Sequence, residues 1–266
     1  MEDSNEPSYH WTSLIERRNR LKHGRRRIQS SPYNSMPDRG KRRVVLGCTI
    51  AGSLLLSVGT YFHPVPADPN DPLMAFAEYA ADRLWIASHL AQLAGVTLIL
   101  AALIVVTQLQ APLSSGLGYQ LAGAGAVACL ALVAALQAVD GIALKRAVNA
   151  WSTASAAEKQ AAFYAAFAVR QIEVGLASTL SMLSGVTAIL YGFAILSDDA
   201  FPNWVAGLGV LGGAATAVAG VLMAYEGFSD LEMVISMPAS CILLLWMLIV
   251  GILTWRASAP PTACCR

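Results

Sequence analysis

Phe167-Ala-Val-Arg170-Gln-Ile-Glu173 and Leu183-Ser-Gly-Val-Thr-Ala-Ile-Leu190 lie on one apolar run, from about 156 to 197, in a chain of 266 residues. The run ends at Asp198-Asp199 and is followed by Phe201-Pro202-Asn203-Trp204. Its apolar residues are continuous rather than alternating, and it exceeds the roughly 20 residues that carry a helix across a bilayer. Backbone in lipid must satisfy its own hydrogen bonds, which leaves helices and closed barrels. A long unbroken run selects the helix.

The same reasoning extends outward. Spans are expected at about 44–62, 84–108, 117–139, 156–197, 204–225 and 236–255. The predicted fold class is all-α, a bundle of six transmembrane helices. Asp71-Pro72 is a helix start signal, with a capping carboxylate and Pro at the first helical position. It predicts a surface segment from about 72 leading into the second span. Pro64, Pro66, Pro69 and Pro72 stiffen the loop before it. The third span is expected to run on outside the membrane toward Trp151. Ser155-Ala-Ala-Glu158 fits a capping box and predicts that the fourth helix projects before it enters the bilayer.

Composition agrees. The chain is 56% hydrophobic and 13% charged, against about 25% charged in soluble domains. Residues 1–43 hold 11 of the 18 Lys and Arg and 5 of the 17 acidic residues, a net +6, leaving −5 for the remainder. A basic tail before the first span is the positive-inside signal. With six spans it predicts that both termini are cytoplasmic, and the chain is expected in the cytoplasmic (plasma) membrane. The expected organisation is a basic, disordered tail (1–43), a six-helix domain (44–256) and a short C-terminal tail (257–266). Within the first tail, Tyr9 to Lys22 can form a basic amphipathic helix that meets anionic lipid; a plain orientation signal is the rival reading. No nucleic-acid motif accompanies the basic residues. The bilayer is the expected partner, and no protein partner is indicated.

Cys48, Cys129, Cys241, Cys264 and Cys265 have no zinc-site spacing. Gly209, Gly213 and Ala217 form a small-residue face suited to close helix packing inside the bundle. Leu93-Ala-Gly-Val-Thr-Leu-Ile-Leu100 matches Leu183–Leu190 at six of eight positions, at an offset of 90. Ala138-Val-Asp140-Gly141 and Ala224-Tyr-Glu226-Gly227 end the third and fifth spans at an offset of 86. The second–third and fourth–fifth spans then read as duplicated hairpins forming a four-helix core, with the first and sixth spans outside and Asp140 and Glu226 as symmetry mates. Chance similarity between apolar segments is the competing explanation.

Counting about 20 residues from each cytoplasmic edge brings His89, Asp140, Glu173 and Glu226 to the outer interface, with Asp82, Arg83 and Arg170 slightly further out. Asp82, Trp85, His89 and Gln92 share a helix face, and Arg170 can pair with Glu173 one turn on. His89, Asp140, Arg170, Glu173, Glu226, Asp82 and Gln92 are therefore the candidate polar pocket. Its rival is a set of interfacial anchors that hold the bundle in register. His63 is weighed only as a haem partner of His89, and it falls in a loop. His89 with Asp140, Glu173 or Glu226 offers zinc ligands of the intramembrane-hydrolase type. No P-loop, dinucleotide fingerprint or nucleophile elbow is present. Transport ranks behind these readings, because the polar groups gather at one end.

Arg170-Gln-Ile-Glu173, Leu190-Tyr-Gly-Phe-Ala194 and Phe201-Pro-Asn-Trp-Val-Ala-Gly-Leu-Gly-Val-Leu-Gly-Gly213 resemble a family of bacterial multi-pass membrane proteins without assigned activity. The resemblance covers about 165–225. It implies architecture and carries over no catalytic residue or cofactor. The leading functional expectation is a non-enzymatic membrane component, structural or partner-binding. The alternative is a protein that binds metal, haem or lipid at its outer end, with hydrolase activity as one form.

Overall fold

A computed structural model describes residues 38–64, 67–110, 116–197 and 201–257. The Tyr9–Lys22 helix, Pro66, Asp198-Asp199 and Cys264-Cys265 lie outside these residues. The helices are α1 (Asp38–Tyr61), α2 (Pro72–Ala81), α3 (Trp85–Gln110), α4 (Leu117–Gln137), a π-helical segment (Ala138–Leu144), α5 (Lys145–Thr153), α6 (Lys159–Leu196), α7 (Asn203–Glu226) and α8 (Asp230–Arg256). Six helical stretches, Arg39–Tyr61, Trp85–Gln110, Leu117–Thr153, Lys159–Leu196, Asn203–Glu226 and Asp230–Arg256, are long and apolar enough to cross a membrane. Their outward faces carry large exposed side chains such as Leu54, Leu90, Phe193, Leu211 and Leu245. That surface suits hydrocarbon and not water.

Local signals set both ends of α2 and the start of α3. Asp71 caps α2, its carboxylate accepting from the amides of Leu73 and Met74 at 3.0 and 3.2 Å. α2 is separate from α3 because Asp82 ends one and starts the other. Its backbone amide closes on Glu78, and its carboxylate accepts from the Leu84 amide at 2.7 Å. The Ser155–Glu158 pair departs from a capping box. Ser155 Oγ bonds the Glu158 carboxylate at 2.9 Å, and α6 begins only at Lys159.

Each spanning helix packs on the next, in the order α1, α3, α4, α6, α7, α8, and α8 packs back on α1. The bundle is thus a closed ring of six helices. This corrects the expected four-helix core: α1 and α8 are ring members and not an outer layer. Two pairs are especially close. In α1 and α3, a Cβ on Gly95 would stand 2.6 Å from the Leu56 amide nitrogen, and one on Gly59 would stand 2.6 Å from the Ser88 carbonyl. In α6 and α7, a Cβ on Gly213 would stand 2.6 Å from the Gly185 carbonyl, and one on Gly220 would stand 2.7 Å from the Met182 amide nitrogen. Backbone contact at this distance admits glycine only. The two matching octapeptides therefore serve different partners. Gly95 packs on the helix before it and Gly185 on the helix after it. Gly213 serves α6 while Gly209 lies under Trp246 of α8, so this small-residue face is internal packing.

The continuous Leu117–Thr153 and Lys159–Leu196 helices, 37 and 38 residues, are each about 55 Å long at 1.5 Å per residue. A hydrocarbon core is about 30 Å thick, so both project well beyond it. The projecting ends form a platform on which α2 lies, burying Ala75, Phe76 and Tyr79 with Leu144, Val148 and Ala166. Phe76 meets Trp151 and Phe163 at ring-centroid distances of 6.0 and 5.7 Å. Lys145 locks α2 down: its ammonium donates to the carbonyls of Tyr79 (2.5 Å), Ala80 (3.0 Å) and Asp82 (2.7 Å). All three of its protons are used.

Candidate functional site: a roofed polar chamber over the ring lumen

The π-helical segment brings the polar residues together. Widening the helix by one residue per turn frees carbonyls from the regular ladder. Within this segment, the carbonyl of Asp140 accepts from Trp85 Nε1 at 3.2 Å. Gly141 then lets the backbone close on α3, since a Cβ there would stand 2.8 Å from the Cβ of His89. The result is a contact between Asp140 Oδ2 and His89 Nε2 at 3.1 Å. The other ring nitrogen of His89 lies 2.6 Å from the Trp85 carbonyl. Trp85 stacks on the imidazole with centroids 4.5 Å apart.

His63 arrives from the loop after α1. Its ring lies 5.0 Å from that of His89, centroid to centroid, and its Nδ1 lies 2.9 Å from the Pro64 carbonyl. Burial holds the His63 imidazole below its usual pKa; the neighbouring His89 adds to this and Asp140 opposes it. On the facing helix, Arg170 Nη1 donates to both carboxylate oxygens of Glu173, at 2.7 and 2.6 Å. Both residues are buried. The guanidinium also lies over the rings of Phe228 (4.8 Å) and Tyr79 (5.6 Å). Burial pushes the Tyr79 phenol up to about 12, against the pull of Arg170.

These groups line a chamber of about 300 Å³, bounded by His63, Tyr79, Gln92, Gln137, Asp140, Arg170, Glu173, Phe228 and Met233. His63, Pro64, Ala67 and Pro69 roof it. Asn70 Nδ2 donates to the Phe228 carbonyl at 2.8 Å, and the Ala67 amide donates to Glu78 at 3.0 Å, so the roof is fixed to the α7–α8 turn and to α2. Below lies an apolar cavity of about 280 Å³ lined by all six spanning helices, including Leu56, Val96, Cys129, Leu180, Thr216 and Trp246. It is the lumen of the ring. Gln92 and Val96, and Ala177 and Ser181, place chamber and lumen one helical turn apart on α3 and α6.

His89, Asp140, Arg170, Glu173 and Gln92 of the expected cluster come together; Gln137 Nε2 approaches Gln92 Oε1 at 3.5 Å. Two expected members lie elsewhere. Asp82 is spent on the α2–α3 junction, where its carbonyl also receives Lys145. Glu226 is exposed at the end of α7 and accepts from Ser229 Oγ at 3.1 Å. It lies toward the same end of the bundle as Asp140, but in a different environment. His63, Tyr79, Gln137 and Phe228 complete the chamber and lie beyond the expected pocket. Three of these four sit outside the expected spans: His63 and Phe228 in loops, where helical periodicity gives no guidance, and Tyr79 on the surface segment α2. Two acceptors in the chamber wall, Asp140 Oδ1 and Gln137 Oε1, are buried without a hydrogen-bond partner among the described residues.

The fold and this site define a multi-pass, six-helix membrane protein with a polar chamber at one end. The chain matches no protein-family model, no curated protein and no solved structure.

Proposed function

We propose that the chain is a membrane-embedded binding protein for an amphipathic, lipid-like molecule, with the polar head in the chamber and the apolar part in the lumen. One observation carries this reading: a charged, roofed cavity and an apolar cavity follow one another within a single helical turn. Small-molecule sites typically pair an apolar wall with a few convergent polar groups, and here the two kinds of wall are segregated end to end. Arg39, Lys41, Arg42, Arg43 and Arg256 share the opposite end, where Arg42 donates to the Thr254 carbonyl at 3.0 Å. By the positive-inside rule that end is cytoplasmic, and the chamber faces outward. Kinship with the uncharacterised bacterial family suggested by Arg170-Gln-Ile-Glu173 and Phe201-Pro-Asn-Trp204 belongs to the same proposal.

The test is purification in mild detergent, followed by native mass spectrometry and lipid extraction. The expected result is one lipid-like molecule retained per chain in wild type, and its loss in Ser184→Phe, which fills the lumen, with the melting temperature preserved. A protein that retains no such molecule, or retains it equally in Ser184→Phe, refutes the reading. A structural membrane component is the second reading, favoured by the closed Arg170–Glu173 pair, which spends its charges on each other.

A further inference from the structure

We propose that His63, His89 and Asp140 form a binding site for a divalent transition-metal ion of the zinc class in the wall of the chamber. The inference goes beyond the lipid reading and stands whether or not the lumen holds a ligand. The candidate ligand atoms, one from each residue, lie within 4.8 Å of one another. A tetrahedral ion with bonds of about 2.0–2.2 Å draws such atoms in by roughly an ångström, a movement open to His63 on its loop.

The hydrogen bonds at the second nitrogens support this. A carbonyl can only accept, so His63 Nδ1 donates to Pro64 and His89 Nδ1 donates to Trp85. Both imidazoles are thereby oriented with Nε2 as the remaining ring nitrogen. A ligating histidine ordinarily donates its other N–H to a carbonyl or carboxylate in this way. His89 Nε2 faces Asp140 Oδ2 at 3.1 Å. With neutral imidazole that contact sets a lone pair against a carboxylate, and a cation between them resolves the conflict. The second oxygen of Asp140 is buried without a partner among the described residues.

Charge balance points the same way. Arg170 is neutralised by Glu173 at 2.6 Å, which leaves the Asp140 carboxylate with His89 as its one side-chain partner among the described residues. Two imidazoles and one carboxylate suit zinc, copper, nickel or cobalt over magnesium or calcium, which prefer oxygen alone. Three protein ligands leave a fourth position toward the chamber, where a water or a ligand's polar head can bind. Haem fits less well, because Trp85 packs against both histidine rings and closes the space a macrocycle needs.

The competing arrangement is a protonated His89 paired with Asp140, without metal. The experiment strips the full-length, detergent-purified chain with chelator and delipidates it. Zn²⁺ or Co²⁺ is added, excess is removed, and metal per chain is read by mass spectrometry and by the visible spectrum of the cobalt form. The expected result is one ion per chain with a tetrahedral-type cobalt spectrum. His63→Gln, His89→Gln and Asp140→Asn should each weaken retention about tenfold or more, and Glu226→Gln should keep it. His63→Gln lies on the roof loop and guards against a misfolded His89 variant. Wild type that retains no ion, or retention unchanged in both histidine variants, overturns the proposal. So does a metal-treated wild type in which both nitrogens of His89 still carry protons by ¹⁵N NMR. Because the lipid is removed first, failure here leaves the lipid reading standing, and its own failure leaves the metal site standing.

Discussion

Removing the Arg170 charge alone should cost far more than removing it together with its partner. Arg170 and Glu173 are 7% and 3% exposed, and the guanidinium holds both carboxylate oxygens. Arg170→Gln leaves Glu173 buried beside Asp140 without its counter-charge. Breaking a buried pair from one side costs about 3–5 kcal/mol, whereas replacing both charges is often close to neutral. The cation–π contacts with Phe228 and Tyr79 add about 0.5–2 kcal/mol that both variants lose. The expected losses are therefore about 3.5–7 kcal/mol for Arg170→Gln and about 2 kcal/mol or less for Arg170→Gln/Glu173→Gln. Reversible unfolding by a denaturing detergent, with the single Glu173→Gln variant closing the cycle, measures the coupling. A double variant as unstable as the single one would refute the account. It would mean that Arg170 acts through its aromatic neighbours or the roof and not through Glu173.

Other expectations follow from the packing. Lys145→Met removes three charge-assisted bonds to the end of α2 and should cost about 3 kcal/mol or more; faster proteolysis between α1 and α3 reads it directly. Gly213→Ala should destabilise by about 1–3 kcal/mol or more through contact with the Gly185 carbonyl, whereas Gly207→Ala, with nothing within 4 Å of its added methyl, should be neutral or stabilising by up to about 1 kcal/mol. Thermal unfolding in detergent separates the two. Tyr79, raised to about 12 from 10.0, contributes stability that is complete below pH 10 and is lost as pH rises toward 12, because the unfolded chain releases the phenolic proton first. Two units are worth about 2–3 kcal/mol, so Tyr79→Phe should flatten the stability profile between pH 10 and pH 12.

What the sequence made legible follows from the range of each force. Spans are written in continuous runs of apolar residues, and Asp71-Pro72 announces α2 through contacts two and three residues away. Arg170 and Glu173 are legible as a pair because they are one turn apart. The expected pocket also includes Glu226, because depth counting reports level and not azimuth, and Asp82, because the helix face through Trp85, His89 and Gln92 extends in the sequence past the break that puts Asp82 at the α2–α3 junction. The direction of His63 is not legible, since a loop residue has no periodicity to fix it. The π-helical segment was illegible for a similar reason. Val139-Asp140-Gly141 carries no local signal for a wider turn, and only the approach of Gly141 to His89 across the helix pair accounts for its place.

The ring gives the irregular positions a common logic. Glycine contacts fasten α1 to α3 and α6 to α7 at backbone distance, so these are two rigid walls. α4 and α8 stand between the walls, one on each side, and their separation sets the width of the lumen. Both strong helix irregularities within the described spans fall on these two helices: the π-helical segment continues α4, and Pro238 lies inside α8. A π turn or an internal proline weakens the regular ladder and lets a helix bend there. Placed in a glycine-locked pair, either would disturb a backbone-to-backbone register that has no slack. Placed between the pairs, they allow curvature where side chains mediate the contact. α4 with its continuation and α8 also line both cavities, through Cys129, Gln137 and Asp140 on one side and Met233 and Trp246 on the other. A shift of either helix therefore changes the walls of chamber and lumen together.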